Sequence, residues 1–303
     1  MQSASAANAR PTRLTAWWLA IRPKTLTVAV APVACGAALA WHEHRQFFLA
    51  PFLVTLVVAV LIQIATNLYN DAKDHERGAD TPDRLGPARA TASGWLTARE
   101  VKRAALGTFA AAFVLGQYLV WHGGWGILLL GVVSIGAGIA YTGGPRPIAY
   151  SATGEVFVWL FFGLAATLGT YYLQAFTLSV PAFLTANALG LLAAAVIVVN
   201  NTRDLETDTR AGKHTLAVRI GRAACNTEYA ALMLLPFALV AAQAPLLPGG
   251  ARMLLPLLAL PWALALVRRF RAEPPGRGFN RLLARTAALQ LAFALLLALA
   301  LIL

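Results

Sequence analysis

Charge-free apolar segments alternate with short basic or mixed-charge stretches along the whole chain, recurring at 25–41, 47–70, 104–121, 125–142, 156–175, 179–202, 229–248, 253–267 and 286–303. Most have the roughly 17–25 residues that a helix needs to cross a bilayer. The block 156–202 is uncharged throughout and too long for one span, so it divides into two, with the break between Gln174 and Pro181. The shortest segment, 253–267, carries Pro256 and Pro261. This pattern predicts an all-α, polytopic membrane helix bundle of nine transmembrane helices, with residues 1–303 as a single domain.

Composition agrees with that prediction. Hydrophobic residues make up 58% and charged residues 13% of the 303 positions, which argues against a soluble class. The distribution of Lys and Arg supplies a topology, because retained positive charge marks cytoplasmic loops. With the amino terminus inside, the cytoplasmic segments 10–24, 73–103, 146, 203–222 and 268–285 hold 23 of the 25 basic residues, leaving only Arg45 and Arg252 outside. A miscount by one span would scramble this bias. The expected orientation is therefore amino terminus cytoplasmic and carboxyl terminus on the opposite side. The net charge of +12 then reflects positive-inside loops and contact with anionic membrane lipid, not nucleic-acid binding. No segment points to an obligate protein partner.

Residues 1–14 are expected to form a flexible tail. The short run Trp17-Trp18-Leu19-Ala20-Ile21, flanked by Arg13 and Arg22, is too short for a signal-peptide core and predicts an interfacial helix with its tryptophans at headgroup level. Cys35 and Cys225 lack metal-ligand spacing and are expected as small buried residues.

The acidic residues are concentrated. Of 13, eight lie in two stretches: Asp71, Asp74, Glu76, Asp80 and Asp83, then Asp204, Glu206 and Asp208. The first opens with Asn67-Leu-Tyr-Asn70-Asp71-Ala-Lys-Asp74 at the end of an apolar run. At about 100° per residue, Asn67, Asn70, Asp71 and Asp74 fall within roughly one third of a helix circumference. The second, Asn200-Asn201-Thr-Arg203-Asp204-Leu-Glu206-Thr-Asp208, places Asn200, Asp204 and Asp208 at i, i+4 and i+8. Both stretches belong to the same predicted membrane face, where 71–103 and 203–222 form cap loops.

Three explanations compete for these clusters. A solvated loop whose carboxylates balance nearby bases leaves unexplained why Asn and Asp repeat at helical spacing inside the apolar helix end, where a carboxylate costs about 2.5–3.5 kcal/mol at mid-bilayer and less near the edge. A cation-coupled carrier holds its acids near the bilayer midplane, whereas here they crowd one face. An enzyme whose Mg²⁺ bridges carboxylates to a diphosphate fits two sparse, facing oxygen clusters, since Mg²⁺ takes one or two carboxylates together with substrate phosphates. Arg22, Lys24, Lys73, Arg84, Arg203 and Lys213 lie on the same side as candidate phosphate clamps.

The paired motifs, with Gly78-Ala-Asp80-Thr-Pro-Asp83-Arg84-Leu-Gly86-Pro87 after the first and Gly212-Lys213-His-Thr215 after the second, resemble the UbiA superfamily of membrane prenyltransferases. Arg22-Pro23-Lys24-Thr25-Leu26, Asp83-Arg84-Leu85-Gly86-Pro87 and Tyr141-Thr142-Gly143-Gly144-Pro145 are similar to the 1,4-dihydroxy-2-naphthoate polyprenyltransferases of menaquinone synthesis. The resemblance runs from about residue 15 to 222. It implies a central cavity capped by the two acidic loops, in a bacterial-type inner membrane with the active site facing the cytoplasm. It further implies transfer of a polyprenyl group from an allylic polyprenyl diphosphate to dihydroxynaphthoate with decarboxylation, giving demethylmenaquinol; 4-hydroxybenzoate or homogentisate are alternative aromatic acceptors.

Carried over by position, Asn67, Asp71, Asp74, Asn200, Asp204 and Asp208 would hold Mg²⁺. Asn67, Asn200, Arg22, Lys24, Arg84 and Lys213 would contact the diphosphate. The first pair is spaced Asp-x2-Asp where the superfamily has Asp-x3-Asp, so Asp80 competes with Asp74 as a ligand. Asp71, Asp204 and Tyr141 are the expected catalytic residues. Tyr69, Tyr141, Trp159, Phe161 and Phe162 offer aromatic faces to an allyl cation, each contributing about 0.5–2 kcal/mol if so placed; packing is the alternative for each. His75 and His214 are expected in solvated loops, and Glu155 as a helix-start acid.

Overall fold

The computed structural model describes residues 11–80 and 84–303, so residues 1–10 of the expected tail 1–14, and Asp83, lie outside the described residues, while Arg13 and Leu14 belong to a helix capped by Thr12 and not to a flexible tail. Among the described residues nine helices are long and apolar enough to cross a membrane, as the hydrophobic pattern predicts.

A short helix α1 (Arg13–Ile21) precedes α2 (Pro23–His44), which is followed by α3 (Leu49–Glu76), α4 (Ala98–Gly123) and α5 (Trp125–Thr142). Then come α6 (Gly154–Ala175) and α7 (Val180–Arg203). A two-turn helix α8 (Leu205–Arg210) leads to α9 (Leu216–Gln243), α10 (Gly250–Ala272) and α11 (Phe279–Ile302). The break within the long uncharged block falls between Ala175 and Val180, inside the predicted window. The weakest predicted span is a full-length crossing whose first part, Gly250–Ala259, is a 3₁₀ helix around Pro256. Helix extends further into the two cap regions than the charge pattern alone conveys. α3 runs to Glu76, and α4 starts at Ala98 behind a reciprocal Thr97–Glu100 capping box.

Two packing regions differ in character. Buried residues of α2, α6, α7, α9, α10 and α11 form one large core, with Tyr171, Tyr229, Phe270, Phe279 and Phe293 at or near zero exposure. α3 and α4 share a smaller cluster with α1 and the loop at Ala90 and Leu96, while α5 buries only Thr142. Apolar side chains gain little by leaving lipid for protein, so close backbone contact holds such helices together. Where α6 meets α7, a Cβ at Gly163 would lie 2.6 Å from Gly190 Cα. That crossing coincides with a π-helical turn at Leu160–Ala165.

Alternating chain direction brings the termini of α3, α5 and α7 and the starts of α2, α6 and α11 to one face. At the other face His42 bridges the carbonyls of Leu301 (2.9 Å) and Pro248 (3.1 Å). α1 lies against α3 through Ala16 and Ala20, leaving Trp18 60% exposed.

Candidate active site

The α3 tip splits its predicted polar face into two edges. On one edge, Asn67 Nδ2 donates to the Ile21 carbonyl (3.0 Å) and Thr25 Oγ1 (3.1 Å), pinning the α1–α2 junction. On the same edge the Asp71 carboxylate accepts from the Ala90 N–H (3.2 Å) and the Thr91 hydroxyl (2.7 Å), so both oxygens hold the loop that follows. On the other edge, Asn70 Oδ1 accepts from Arg22 Nη2 (2.6 Å) and Arg89 Nη2 (2.6 Å), and Asn70 Nδ2 donates to Asp74 Oδ2 (2.9 Å). Helical geometry accounts for the split, since i+3 and i+4 neighbours lie on opposite sides of a residue's own direction.

Asp80 joins the second edge. Its Oδ1 pairs with Arg84 and lies 3.8 Å from Arg89 Nε, while its Oδ2 is buried with no hydrogen-bond partner. Burial raises the Asp80 pKa, an effect that Arg84 opposes. Burial likewise lowers that of Arg22, against the attraction of Asp71. Arg22 adopts a left-handed backbone conformation (φ 55°) between α1 and α2, which turns the chain beneath the α3 tip.

The α7 tip is organised around its own arginine. Arg203, 2% exposed, donates from Nη2 to Asn200 Oδ1 (2.9 Å) and Asp204 Oδ2 (2.5 Å), from Nε to Asp204 Oδ1 (2.8 Å), and from Nη1 to Asn280 Oδ1 (2.8 Å). The oxygens of Asn200 and Asp204 thus converge on one cationic nitrogen. Asp208 pairs with Lys213 at 2.9 Å; burial raises its pKa and Lys213 works the other way.

Tyr150 joins the two tips. Its hydroxyl donates to Asp74 Oδ1 (2.9 Å), its ring carries Lys213 Nζ at 4.8 Å and the Arg77 guanidinium at 5.5 Å, and its carbonyl accepts from the His214 N–H (2.9 Å). Burial and the adjacent Asp74 push the phenol pKa above its ordinary value, so it remains a donor. A chain of contacts therefore runs Asp74–Tyr150–Lys213–Asp208 from one tip to the other. A second link passes through Asn280, whose Nδ2 donates to the Leu85 carbonyl (2.8 Å).

The family model for the UbiA prenyltransferase family matches residues 29–288. The chain belongs to the UbiA prenyltransferase family. It is 42% identical to the 1,4-dihydroxy-2-naphthoate octaprenyltransferase of Escherichia coli (strain K12) over 229 residues, 73% of this chain and 74% of that one. It is 37% identical to the 1,4-dihydroxy-2-naphthoate octaprenyltransferase of Mycobacterium tuberculosis (strain ATCC 25618 / H37Rv), covering 92% of this chain and 94% of its relative. In fold it is similar to a UbiA homologue from Archaeoglobus fulgidus solved with GPP and Mg²⁺, with a TM-score of 0.70 at 16% identity, covering 95% of this chain and 99% of that one. A multi-pass membrane enzyme of this family is therefore what the nine apolar helices build.

The other sequence-predicted residues of this UbiA chain are distributed unevenly. Arg22, Arg84 and Lys213 sit among the carboxylates. Lys24 is exposed at the start of α2 and its side chain makes no hydrogen bond or ion pair among the described residues. Lys73 pairs with Glu76 (2.5 Å) at the outer surface. Tyr141 is half-buried in the last turn of α5, and its hydroxyl would lie 4.0 Å from a Cβ placed on Gly154. Tyr69 packs edge-on to Phe109, Trp159 Nε1 donates to Asn187 Oδ1 (3.1 Å), Phe161 stacks on Phe157, and Phe162 packs with Val28, Val158 and Ala193. His214 is exposed in a loop, as expected, whereas His75, also exposed, lies in the last turn of α3 because the helix runs on to Glu76. Glu155 is buried at the start of α6, where its Oε1 accepts from Asn201 Nδ2 (2.7 Å).

Sequence reasoning missed Arg89, Thr91, Tyr150 and Asn280. Arg89 and Asn280 stand in segments rich in basic residues, where one more polar residue carries no signal. Tyr150 had a faint one, as an aromatic amid the small residues that precede α6.

Proposed function

We propose that this UbiA enzyme transfers a polyprenyl group from an allylic polyprenyl diphosphate to 1,4-dihydroxy-2-naphthoate, with loss of the ring carboxylate as CO₂, giving demethylmenaquinol. The observation that carries the reading is the bridge Asp74–Tyr150–Lys213–Asp208, which brings two oxygen-rich helix tips together at one membrane face. The identities of 42% and 37% to naphthoate octaprenyltransferases support the acceptor. The setting is a bacterial-type inner membrane with the amino terminus and the site on the cytoplasmic side.

The donor set suits Mg²⁺. Asn200 and Asp204 already aim their oxygens at one positive centre, and Asp80 keeps a buried carboxylate oxygen without a partner; hard oxygen donors of this kind match that ion. Asn200, Asp204 and Asp208 would hold the metal from the α7 side. From the α3 side we assign Asn70, Asp74 and Asp80. Asn67 and Asp71, which the motif spacing also offers, already hold the neighbouring chain. When bound, Mg²⁺ supplies positive charge to the departing diphosphate.

The protein's own groups do the rest. Arg22, Arg84 and Lys213 neutralise the diphosphate as its allylic C–O bond lengthens, in a setting where preorganised charge acts strongly. The apolar helices α2, α3, α6 and α7 would exclude water from the allyl cation, and Tyr141, in the last turn of α5, would offer it an aromatic ring.

The test is product identification. Membranes containing the protein, supplied with Mg²⁺ and a labelled polyprenyl diphosphate, are expected to form a decarboxylated prenyl naphthoquinol from dihydroxynaphthoate and no product from 4-hydroxybenzoate or homogentisate. Product from another acceptor alone would overturn the assignment.

A further inference from the structure

Beside the α7 tip a cavity of about 470 Å³ is lined by Leu85, Arg203, Glu206, Thr207, Arg210, Pro275 and Arg277. Three guanidinium groups face one carboxylate there. Its walls come from three separate stretches of chain, around Leu85, Arg203–Arg210 and Pro275–Arg277, and they are fastened to one another. Asn280 accepts from Arg203 while donating to the Leu85 carbonyl. The loop passes so close that a Cβ on Gly86 would stand 2.9 Å from Arg203 Nη2. Arg203 also donates to the side-chain oxygens of both Asn200 and Asp204. It therefore belongs both to the acidic tip and to the basic cavity.

The reaction proposed above, on which this inference rests, leaves inorganic diphosphate beside that tip. A multiply charged anion cannot depart through hydrocarbon, where even one charge is costly. It must leave at the aqueous face, past the cap. Basic residues scattered merely to satisfy the positive-inside bias would not need a buried member shared with the acidic motif, nor walls bound to it on two sides.

We propose that this cavity is the release site for inorganic diphosphate, with Arg203 handing the anion from the α7 tip to Arg210 and Arg277, and with Glu206 limiting how tightly it is held. The ligand class is a small polyanion of condensed phosphate, recognised by converging guanidinium groups.

The experiment is product inhibition, using sodium pyrophosphate with the full-length protein in detergent or liposomes and saturating Mg²⁺. Arg210 and Arg277 are exposed, so the double variant Arg210→Ala with Arg277→Ala keeps the fold. It is expected to raise the concentration of pyrophosphate needed for half-inhibition by about fivefold or more, two charge-assisted contacts being lost, while KM for both substrates stays within about twofold. Glu206→Gln is expected to move half-inhibition the other way, to lower pyrophosphate. Unchanged inhibition in both variants would overturn the proposal, as would an equal rise in KM for the polyprenyl diphosphate, which would make these arginines part of substrate binding. A wild-type protein that forms no prenylated naphthol would instead sink the proposed function, and the two failures are told apart before any variant is made.

Discussion

The two acidic tips solve the same problem with different materials. At the α7 tip the cations are local: Arg203 adjoins Asp204 in the chain and Lys213 follows Asp208 within one loop. At the α3 tip they come from a distance, Arg22 from 48 residues before Asn70 and Arg89 from 19 residues after it. The first arrangement forms whenever the helix end forms. The second requires the α1–α2 turn and the loop after α3 to be in place, and Asn67, Asp71 and Thr91 are what hold them there. A motif read as one polar stripe thus divides into an edge bonded to the α1–α2 turn and the loop after α3, and an edge bonded to Arg22, Arg89 and Tyr150.

The sharpest way to break this comparison is to neutralise one acid on each cleft-facing edge. Asp74→Asn and Asp204→Asn are each expected to lower turnover about 10²–10³-fold, the cost typical of removing a preorganised charge-stabilising group, with membrane insertion unchanged by fractionation. Retained turnover in either would remove that tip from the chemistry. The loop-holding edge is probed by Thr91→Val, which leaves an Asp71 oxygen buried without its donor. A stability loss of about 1–3 kcal/mol is expected, read as a lowered unfolding midpoint, while the Mg²⁺ concentration for half-maximal activity stays the same. A shift in that concentration would place Asp71 on the cleft side after all.

Smaller effects sharpen the picture. Tyr150→Phe deletes one hydrogen bond between the tips but keeps the ring under Lys213. It is expected to lower kcat/KM for the polyprenyl diphosphate by about twofold to tenfold, the range of a single net hydrogen bond. Replacement by Leu, which removes the ring as well, is expected to cost more. Lys24→Ala is expected to change activity by less than about twofold, as exposed substitutions away from packed features do. A large loss there would show that Lys24 reaches the diphosphate once substrate is bound.

Much of this was legible along the chain. Hydropathy marked the nine spans, and the Lys and Arg bias gave their alternation. Asn and Asp at helical spacing marked where the chemistry would gather. The residues that complete the cleft were less visible. Arg89 is one base among many in a segment where positive charge is expected on topological grounds alone. Tyr150 acquires its role only because α5 ends and α6 begins beside the tips of α3 and α7. The Asn67/Asn70 choice could not be made from spacing, since a helical wheel places both on the polar side and only the neighbours of each decide which faces the cleft.

Sequence by itself determined how many times the chain crosses the membrane, which ends share a face, and that two oxygen-rich tips lie on that face. Those properties follow from transfer energies and helical periodicity, which act residue by residue. Tertiary structure alone decided which edge of the α3 tip meets the α7 tip, which distant arginines balance it, and where a basic cavity opens beside it. Those depend on the rotation of each helix about its axis and on the path of the loops, and both are set by packing between segments far apart in the chain.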